Sequence, residues 1–375
     1  MYLRRLKLSN FRNIRRAAIE LPPGISIVIG ENGAGKTSFL EAVQYATCGR
    51  SFRTSREQEM VGDLHPYFRI EADVEWNEIS LCRSVAYELG SGAKVDPGGG
   101  PQWLLPGSVL CFSPDDLQLI KGPPVLRRRF LDEAISRRLP AYHRTLIDHQ
   151  KVLSQRNSFL QRARAGLVQL ADISPWDRQL AALAVRISGA RHEHCQRITP
   201  YFQEAFRQIS GEESDAEVWH VSQLESQGNR EEREEGLVAL LAARWSEDLE
   251  RLATGLGAHR DDIDFRLDGR SLKPYGSQGE QRAAVLALLL ADRRLGGETG
   301  QPPLLLLDDV MSELDPERRR RLLAALAPED GEIDSANFAQ TLITAADPGL
   351  FSDSERSSAF VLEVGGGAMM ETGLV

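Results

Sequence analysis

One short string near the N-terminus constrains this chain more than any other feature. The residues from Gly30 to Thr37 match the phosphate-binding pattern G-x-x-x-x-G-K-[ST] without deviation. The string lies between a short apolar run, Ile25 to Ile29, and a segment from Ser38 that is expected to be helical. Glycines let backbone N–H groups turn toward phosphates, and a helix N-terminus adds positive potential. The string therefore predicts a nucleotide-binding site in an α/β fold.

The residues of this loop have separate expected roles. Lys36 is expected to reach the β- and γ-phosphates of ATP and to take part in catalysis, and Thr37 is expected to ligate Mg²⁺. The other predicted nucleotide contacts come from the loop and the first turn of the helix: Gly30, Glu31, Asn32, Gly33, Ala34, Gly35 and Ser38.

A second chemical element lies in the last third of the chain. Leu304 to Leu307 is an apolar run typical of a buried parallel strand, and Asp308 follows it. A carboxylate at that strand end is expected to hold Mg²⁺, directly or through water. Asp309 is the predicted catalytic carboxylate, which would orient or deprotonate the attacking water. The alternative is a pair of helix-capping aspartates.

A third element lies between these two in the sequence. Ser277, Gly279 and Gln281 form the string Ser-x-Gly-x-Gln at the predicted start of a helix, and this resembles the signature of ABC ATPases. There a hydroxyl, backbone N–H groups and a helix dipole face the γ-phosphate held by another subunit. Alone, the string is as often a plain helix cap. Together with Ser312 to Asp315, which match the D-loop of that class, it predicts a dimer that closes around ATP.

The first third of the chain is predicted to be rich in strands around one helix. Apolar residues recur at period two at Leu6 and Leu8 and again at Ala17, Ile19 and Leu21. They also alternate with polar residues from Phe68 to Trp76, and a turn at Asn77 leads into an antiparallel partner. Gly90 to Pro101 is rich in glycine and proline and is predicted to be a loop.

The middle of the chain has a helical period instead. Apolar residues recur at steps of four and three from Tyr142 to Leu160 and from Trp176 to Ala190, which predicts a helical hairpin. Two helices of about 25 residues would make an arm of about 37 Å. His149 lies in the seam and is expected to be packed rather than catalytic. The polar, acidic stretch from Glu212 to Glu235 is predicted to be exposed or loosely ordered.

The order of these elements predicts the domain organisation. The fold class is α/β: an ABC-type P-loop ATPase head built from both chain ends, with an inserted helical arm. The predicted boundaries are 1–139 for the first part of the head, 140–256 for the arm, 257–362 for the second part of the head and 363–375 for a tail.

The net charge of −9 argues against nonspecific DNA binding over the whole surface, because neutralising phosphates needs clustered lysine and arginine. Contact with DNA then depends on local clusters: Arg50, Arg53 and Arg56, and Arg127 to Arg129 with Arg137 and Arg138. From the sequence, these clusters are as consistent with solvated, paired helix faces as with phosphate contacts. No apolar stretch is long enough to span a bilayer, so a cytoplasmic location and no membrane partner are expected.

Several further strings resemble the RecF family of bacterial DNA repair proteins. They are Asn10 to Asn13, Gly49 to Thr54, Ser113 to Leu117, Arg127 to Asp132, Ala258 to Asp262 and Tyr275 to Gly279, and the resemblance runs from Leu3 to about Thr344. It implies an ATP-dependent homodimer that binds double-stranded DNA and junctions beside single-stranded gaps. It also implies RecR, acting with RecO, as a partner, RecA as the protein loaded, and association with the nucleoid. By position, Arg12 would match a family residue near the nucleotide.

Some features depart from efficient ABC ATPases. The segment Ile343 to Asp347 holds no histidine, Gln118 is only a candidate for the Q-loop glutamine, and Asp309 is one methylene shorter than the usual glutamate. We therefore expect slow ATP hydrolysis that serves as a timer. One alternative is an SMC- or Rad50-like structural DNA ATPase. A second is a transporter nucleotide-binding subunit, although the inserted hairpin argues against it.

Overall fold

A computed structural model describes residues 2–76, 79–95, 108–169, 173–224, 228–298, 302–327, 340–365 and 368–371. The chain forms two units. We call residues 1–117, 201–213 and 278–375 the sheet unit, and residues 118–200 and 214–277 the arm unit. Both chain ends therefore contribute to the sheet unit, as the sequence predicts for the head.

The described strands, in chain order, are β1 Tyr2–Phe11, β2 Ile14–Glu20, β3 Ile25–Ile29, β4 Tyr67–Trp76, β5 Ile79–Glu88, β6 Gly92–Val95, β7 Val109–Phe112, β8 Ala216–Val221, β9 Asp262–Leu267, β10 Arg270–Ser271, β11 Leu304–Leu307, β12 Thr341–Ala345, β13 Phe360–Gly365 and β14 Ala368–Glu371.

The described α-helices are α1 Lys36–Cys48, α2 Gln118–Lys121, α3 Pro124–Arg138, α4 Pro140–Arg164, α5 Ser174–Ser210, α6 Arg230–Ala243, α7 Trp245–Arg251, α8 Leu272–Tyr275, α9 Gln278–Gly297, α10 Pro316–Leu326 and α11 Asp353–Ser357. Within the described ranges, none of these helices is long and apolar enough to cross a membrane.

Two sheets build the sheet unit. One is antiparallel with the order β2-β1-β4-β5-β6, and the other has the order β14-β13-β3-β12-β11-β7. In the second sheet β13, β3, β12, β11 and β7 are mutually parallel, and only β14 pairs antiparallel among the described strands. The ends of β3, β11 and β12 therefore meet at one edge, which is where parallel sheets bind ligands.

The helix that follows the phosphate-binding loop is the centre of the sheet unit. α1 packs against β1 and β4 of one sheet and against β7 and β12 of the other. Its residues are buried except Thr37 and Cys48. A helix that is enclosed on all sides is fixed by packing, so the loop at its N-terminus has a rigid support.

The arm unit combines helices with a small sheet of order β10-β9-β8. Helix α3 packs against α4 and β9. The end of α4 meets the beginning of α5, where the rings of Phe159 and Trp176 lie 4.9 Å apart. Both helices of the predicted hairpin are present. α5 is longer than expected because it continues through Pro200 to Ser210.

The observed units divide the chain at other places than the predicted boundaries of 139/140 and 256/257. The arm unit includes α3, α8 and β9, and residues 201–213 group with the sheet unit. The spacing of apolar residues shows that a helix is amphipathic, but it does not show which neighbouring element the helix packs against. The predicted boundaries followed the change of period, whereas α3 packs with α4 and β9.

Three segments predicted to lack regular structure contain some. Gly92–Val95 pairs with β5, and the rest of the predicted loop, like the predicted turn at Asn77, lies outside the described residues. The acidic stretch contains β8 and the beginning of α6, whose N-terminus is a capping box formed by Asn229 and Glu232. The predicted tail contains the end of β13 and all of β14. Backbone pairing with a neighbouring strand needs no apolar period, so composition did not reveal these strands.

Candidate nucleotide-binding site

The phosphate-binding loop connects the end of β3 to the start of α1. Gly33 and Gly35 have positive φ angles of 82° and 121°, conformations that favour glycine. At Gly30 the requirement is space, since a Cβ atom there would lie 2.4 Å from the carbonyl oxygen of Val364 in β13. The loop therefore needs glycine at Gly33 and Gly35 for their backbone conformation, and at Gly30 because β13 lies close to it.

Lys36 is the first residue of α1 and is buried. Its Nζ donates to the carbonyl oxygens of Gly30 at 2.7 Å and Glu31 at 2.9 Å. An ammonium group has three donors, so one N–H remains beyond these two bonds. Burial lowers the pKa of Lys36, and the nearby charges of Asp309 and Asp308 oppose that shift.

The carboxylate of Asp308 is held by hydroxyl groups from two other elements. Thr37 Oγ1 donates to Asp308 Oδ1 at 2.9 Å, and Thr344 Oγ1, at the end of β12, donates to the same oxygen at 2.8 Å. Burial raises the pKa of Asp308, and these two hydrogen bonds act in the opposite direction. Thr37 and Asp308, the two residues that the sequence predicts to bind Mg²⁺, are therefore in direct contact.

Asp309 has an unusual backbone conformation, with a φ of 49°. Its N–H donates to Thr344 Oγ1 at 2.9 Å, so one threonine contacts both aspartates. Asp309 Oδ1 is buried and has no hydrogen-bond partner in the described part of the chain. A carboxylate oxygen in this state can accept a proton or a hydrogen bond from a ligand or water.

Thr37 and Asp308 supply the oxygen ligands that Mg²⁺ prefers. No cluster of three or more histidine, cysteine, aspartate or glutamate side chains suited to a metal occurs within the described residues. Magnesium ions in phosphate sites usually take one or two protein ligands and complete their shell with phosphate oxygens and water. The hydroxyl and carboxylate found here fit that mode.

A cavity of about 480 Å³ opens at the loop, within the size range of small-molecule sites. It is lined by Arg12, Asn13, Asn32, Gly33, Gly35, Lys36, Thr37, Ser38, Arg53, Val61, Asp63 and Asp309. Of the residues predicted for the site, Gly30 and Glu31 act through carbonyl oxygens on Lys36, and Asp308 acts through Thr37. Ala34 and the candidate Gln118 are not among the lining residues.

The predicted signature residues do not line this cavity either. Ser277 is exposed at the start of α9, whereas Gln281 is buried. Gly279 lies against the side chain of Arg318, which a Cβ atom would approach to 2.4 Å. Arg282 of α9 forms an ion pair with Glu313 of the predicted D-loop.

Four lining residues were not predicted for the nucleotide: Asn13, Arg53, Val61 and Asp63. Asn13 Nδ2 donates to the carbonyl oxygen of Gly33 at 2.7 Å, which ties the β1–β2 turn to the loop. The sequence indicates for Arg53 only a possible DNA contact. Arg53 follows the helix after the phosphate-binding loop by only a few residues, which could have indicated a place near the nucleotide. The sequence does not show, however, that the chain turns back toward the loop after that helix.

For one candidate DNA-contact residue, the surroundings favour the alternative of a paired side chain. Arg127 is 2% exposed, pairs with Asp262 at 2.7 Å, and donates to the carbonyl oxygens of Leu119, Ile120 and Gly122. Its guanidinium stabilises the arm unit and is not available to a phosphate backbone. Arg56, in contrast, is exposed and lies 3.7 Å from Glu59.

Comparison with known proteins matches this architecture. A family model described as an AAA domain matches residues 5–179. The DNA replication and repair protein RecF of Heliobacterium modesticaldum is 35% identical, over 98% of this chain and 99% of that protein. RecF of Symbiobacterium thermophilum is 37% identical, over 87% of this chain and 88% of that protein. The chain belongs to the RecF family.

Solved structures agree with this assignment to the RecF family. The structure of the recombination mediator protein RecF with ATP, in the RecFOR pathway, has a TM-score of 0.83 and 29% identity, covering 99% of this chain and 98% of that one. An SMC head bound to the C-terminal winged-helix domain of ScpA has a TM-score of 0.59 at 14% identity, which shows a shared fold only. The predicted ABC/SMC-type head and the resemblance to RecF are thus confirmed.

Proposed function

We propose that this chain is an ATP-dependent DNA-binding protein of recombinational repair. It binds ATP with Mg²⁺ in the cavity at the phosphate-binding loop and forms a homodimer around the nucleotide. The observation that carries the proposal is the hydrogen-bonded set of Thr37, Asp308, Thr344 and Asp309 beside that loop. A motif alone could be accidental, but here residues from three separate segments converge on one cavity edge.

The nucleotide site works mainly through charge and position. Lys36 and the loop N–H groups bind phosphate oxygens, and Thr37 and Asp308 hold Mg²⁺, which neutralises phosphate charge when bound. Asp309 Oδ1 accepts a hydrogen bond from the attacking water. Aspartate reaches less far than the usual glutamate, and the segment Ile343 to Asp347 at the end of β12 holds no histidine. Slow hydrolysis that times release of the dimer follows from both.

The dimer would require the signature residues of the second copy. Ser277 is exposed, as a residue must be if it is to meet a nucleotide held by another subunit. Gly279 and Gln281 shape the helix start that presents it. The dimer would then bind duplex DNA beside single-stranded gaps, act with RecR and RecO in loading RecA, and work in the cytoplasm at the nucleoid. These partners come from the family resemblance.

The test is ATP-dependent dimerisation followed by size-exclusion chromatography, with binding to gapped and intact duplex measured in parallel. Lys36→Ala should weaken ATP binding by about 100-fold, or about 2.7 kcal/mol, and prevent dimerisation. Ser277→Arg should bind ATP like the parent but remain monomeric.

The matched controls place the same substitutions at exposed sites: Lys151→Ala in α4 and Ser354→Arg in α11. Both should behave like the parent. If Ser277→Arg dimerises with ATP as readily as Ser354→Arg, the shared-site dimer is wrong. If the parent binds no ATP, the whole proposal fails.

A further inference from the structure

Helix α1 carries one buried carboxylate among its packed residues. The side chain of Glu41 is 0% exposed. Burying an unpaired carboxylate is very costly, so its partners decide what it does in the fold. Glu41 accepts hydrogen bonds from Arg12, Ser51 and Arg53, which all lie outside α1.

The contact with Arg12 is the stronger of the two arginine contacts. Arg12 Nε donates to Glu41 Oε2 at 2.9 Å and Arg12 Nη2 donates to Glu41 Oε1 at 2.7 Å, a bidentate pair. Arg12 Nη1 donates to the carbonyl oxygen of Glu59. These bonds use three of the five guanidinium N–H groups, which leaves two for a ligand.

The contact with Arg53 is longer and more exposed. Arg53 Nη1 lies 3.3 Å from Glu41 Oε2, and 42% of its side chain is exposed. Ser51 Oγ donates to Glu41 and accepts from the N–H groups of Arg53 and Thr54. Glu41 therefore fixes the loop that carries Arg53 as well as the guanidinium itself.

The charge balance of this cluster points to an anionic ligand. Two guanidinium groups share one carboxylate, so this set of three side chains has a formal net charge of +1. Both Arg12 and Arg53 line the cavity that also contains Lys36. Arg12 belongs to the β1–β2 turn and Arg53 to the segment after α1, and Glu41 joins both to the helix that begins at the phosphate-binding loop.

We propose that Glu41 is a positioning residue of the nucleotide site, which holds Arg12 and Arg53 at the cavity wall to bind phosphate oxygens of ATP. Glu41 touches no ligand itself. Since its contact with Arg12 is bidentate and its contact with Arg53 is single, Arg12 carries most of its effect. The inference rests on the ATP binding proposed above.

The experiment measures the dissociation constant for ATP with Mg²⁺ in Glu41→Gln, Arg12→Gln and the double variant. Glutamine keeps the shape of Glu41 but loses the charge. We expect Glu41→Gln to weaken ATP binding about tenfold in the parent background, and less than twofold when Arg12 is already glutamine. Such non-additivity is the mark of one residue acting through another. A merely structural role would give equal losses in both backgrounds and would overturn the inference.

Glu59→Gln is the matched control, because Glu59 is an exposed carboxylate on the same segment whose side chain bonds Thr54 and Arg56. It should bind ATP within twofold of the parent. If Glu41→Gln does so too, the inference is wrong. If Glu41→Gln shows no cooperative unfolding transition, Arg12→Gln and Arg53→Gln replace it, and ATP binding within twofold of the parent in both overturns the inference. A parent that binds no ATP refutes the proposed function instead.

Discussion

The two units each contain a buried cluster of arginine and carboxylate side chains, and the two clusters have opposite composition. In the sheet unit, Glu41 is shared by Arg12 and Arg53. In the arm unit, Arg156 is shared by Asp177 and Asp248, each at 2.7 Å, and all three side chains are at most 2% exposed. The first cluster has an excess positive charge and lies beside a cavity. The second is buried and has an excess negative charge.

The difference shows that one chain can bury charged side chains in two kinds of surroundings, inside a unit and at the wall of a cavity. In the arm cluster Arg156 also donates to Thr254, and the indole N–H of Trp245 donates to Asp177, so the cluster joins α4, α5 and α7. The cluster of Glu41 keeps guanidinium N–H groups at a cavity wall. We therefore expect changes in the arm cluster to affect stability, and changes near the cavity to affect nucleotide binding or turnover.

The largest expected effect is on the arm cluster. Arg156→Met leaves two buried aspartates without their cation and should lower the free energy of unfolding by about 3–5 kcal/mol. Chemical denaturation of the parent and variant measures this loss. Arg162→Met, at an exposed position of the same helix, should change it by less than about 0.5 kcal/mol. A loss below 1 kcal/mol for Arg156→Met would refute the distinction between the clusters.

A buried histidine of the arm unit gives the next largest effect. His149 is buried beside His259, and burial lowers its pKa to about 4, with the charges of His259 and Arg191 acting in the same direction. Between pH 6.5 and 4 the unfolded chain takes up a proton that the folded chain does not, so stability falls as pH falls. The total is about 3 kcal/mol, since a pKa change of one corresponds to about 1.4 kcal/mol.

His149→Leu should remove this part of the pH dependence. The variant should lose about 3 kcal/mol less than the parent when the pH is lowered from 7 to 4, as measured by urea unfolding at each pH. His143→Leu, at an exposed position of α4, should keep the full dependence of the parent. Parallel pH profiles for the parent and His149→Leu would contradict the prediction.

The smallest expected effect concerns the cavity edge of the sheet unit. Thr344→Val removes the hydroxyl that bonds Asp308 and the N–H of Asp309, and should slow single-turnover ATP hydrolysis about tenfold, or about 1.4 kcal/mol. Thr341→Val is the control, because Thr341 lies buried in the same strand but accepts its hydrogen bond from Arg293. It should reduce stability and leave turnover unchanged. Equal turnover in both variants would show that Thr344 does not orient the aspartates.

The nucleotide site was largely readable from the sequence because its parts are local. The phosphate-binding loop depends on glycines, a lysine and a threonine at fixed spacing, and a short segment specifies its own conformation. Asp308 and Asp309 were found because a buried parallel strand has a recognisable composition. Arg53 and Glu41 were not found, since their roles depend on a chain reversal and on a helix enclosed by two sheets.

For the arm unit, the sequence predicted the helices but not their buried charged contacts. Its helical period was visible, but the period of leucines around Leu153 gave no sign that Arg156 would be wholly buried on the same helix. Arginine is polar in any sequence pattern, and its burial depends on partners remote in sequence: Asp177 of α5, Asp248 of α7 and Thr254. Arg127 shows the same limit, because its cluster of arginines looked suited to DNA while Asp262, far along the chain, pairs with it.

By itself, the sequence determined the P-loop, the strand that precedes Asp308, the assembly of the sheet unit from both chain ends, and the RecF family. Each of these depends on residue types at short spacing, which side-chain and backbone chemistry constrain directly. Only the tertiary structure decided which charges are buried in pairs and which line the cavity. Which charges pair depends on the distances among side chains that are remote in sequence. Those distances also determine how strongly water screens each charge.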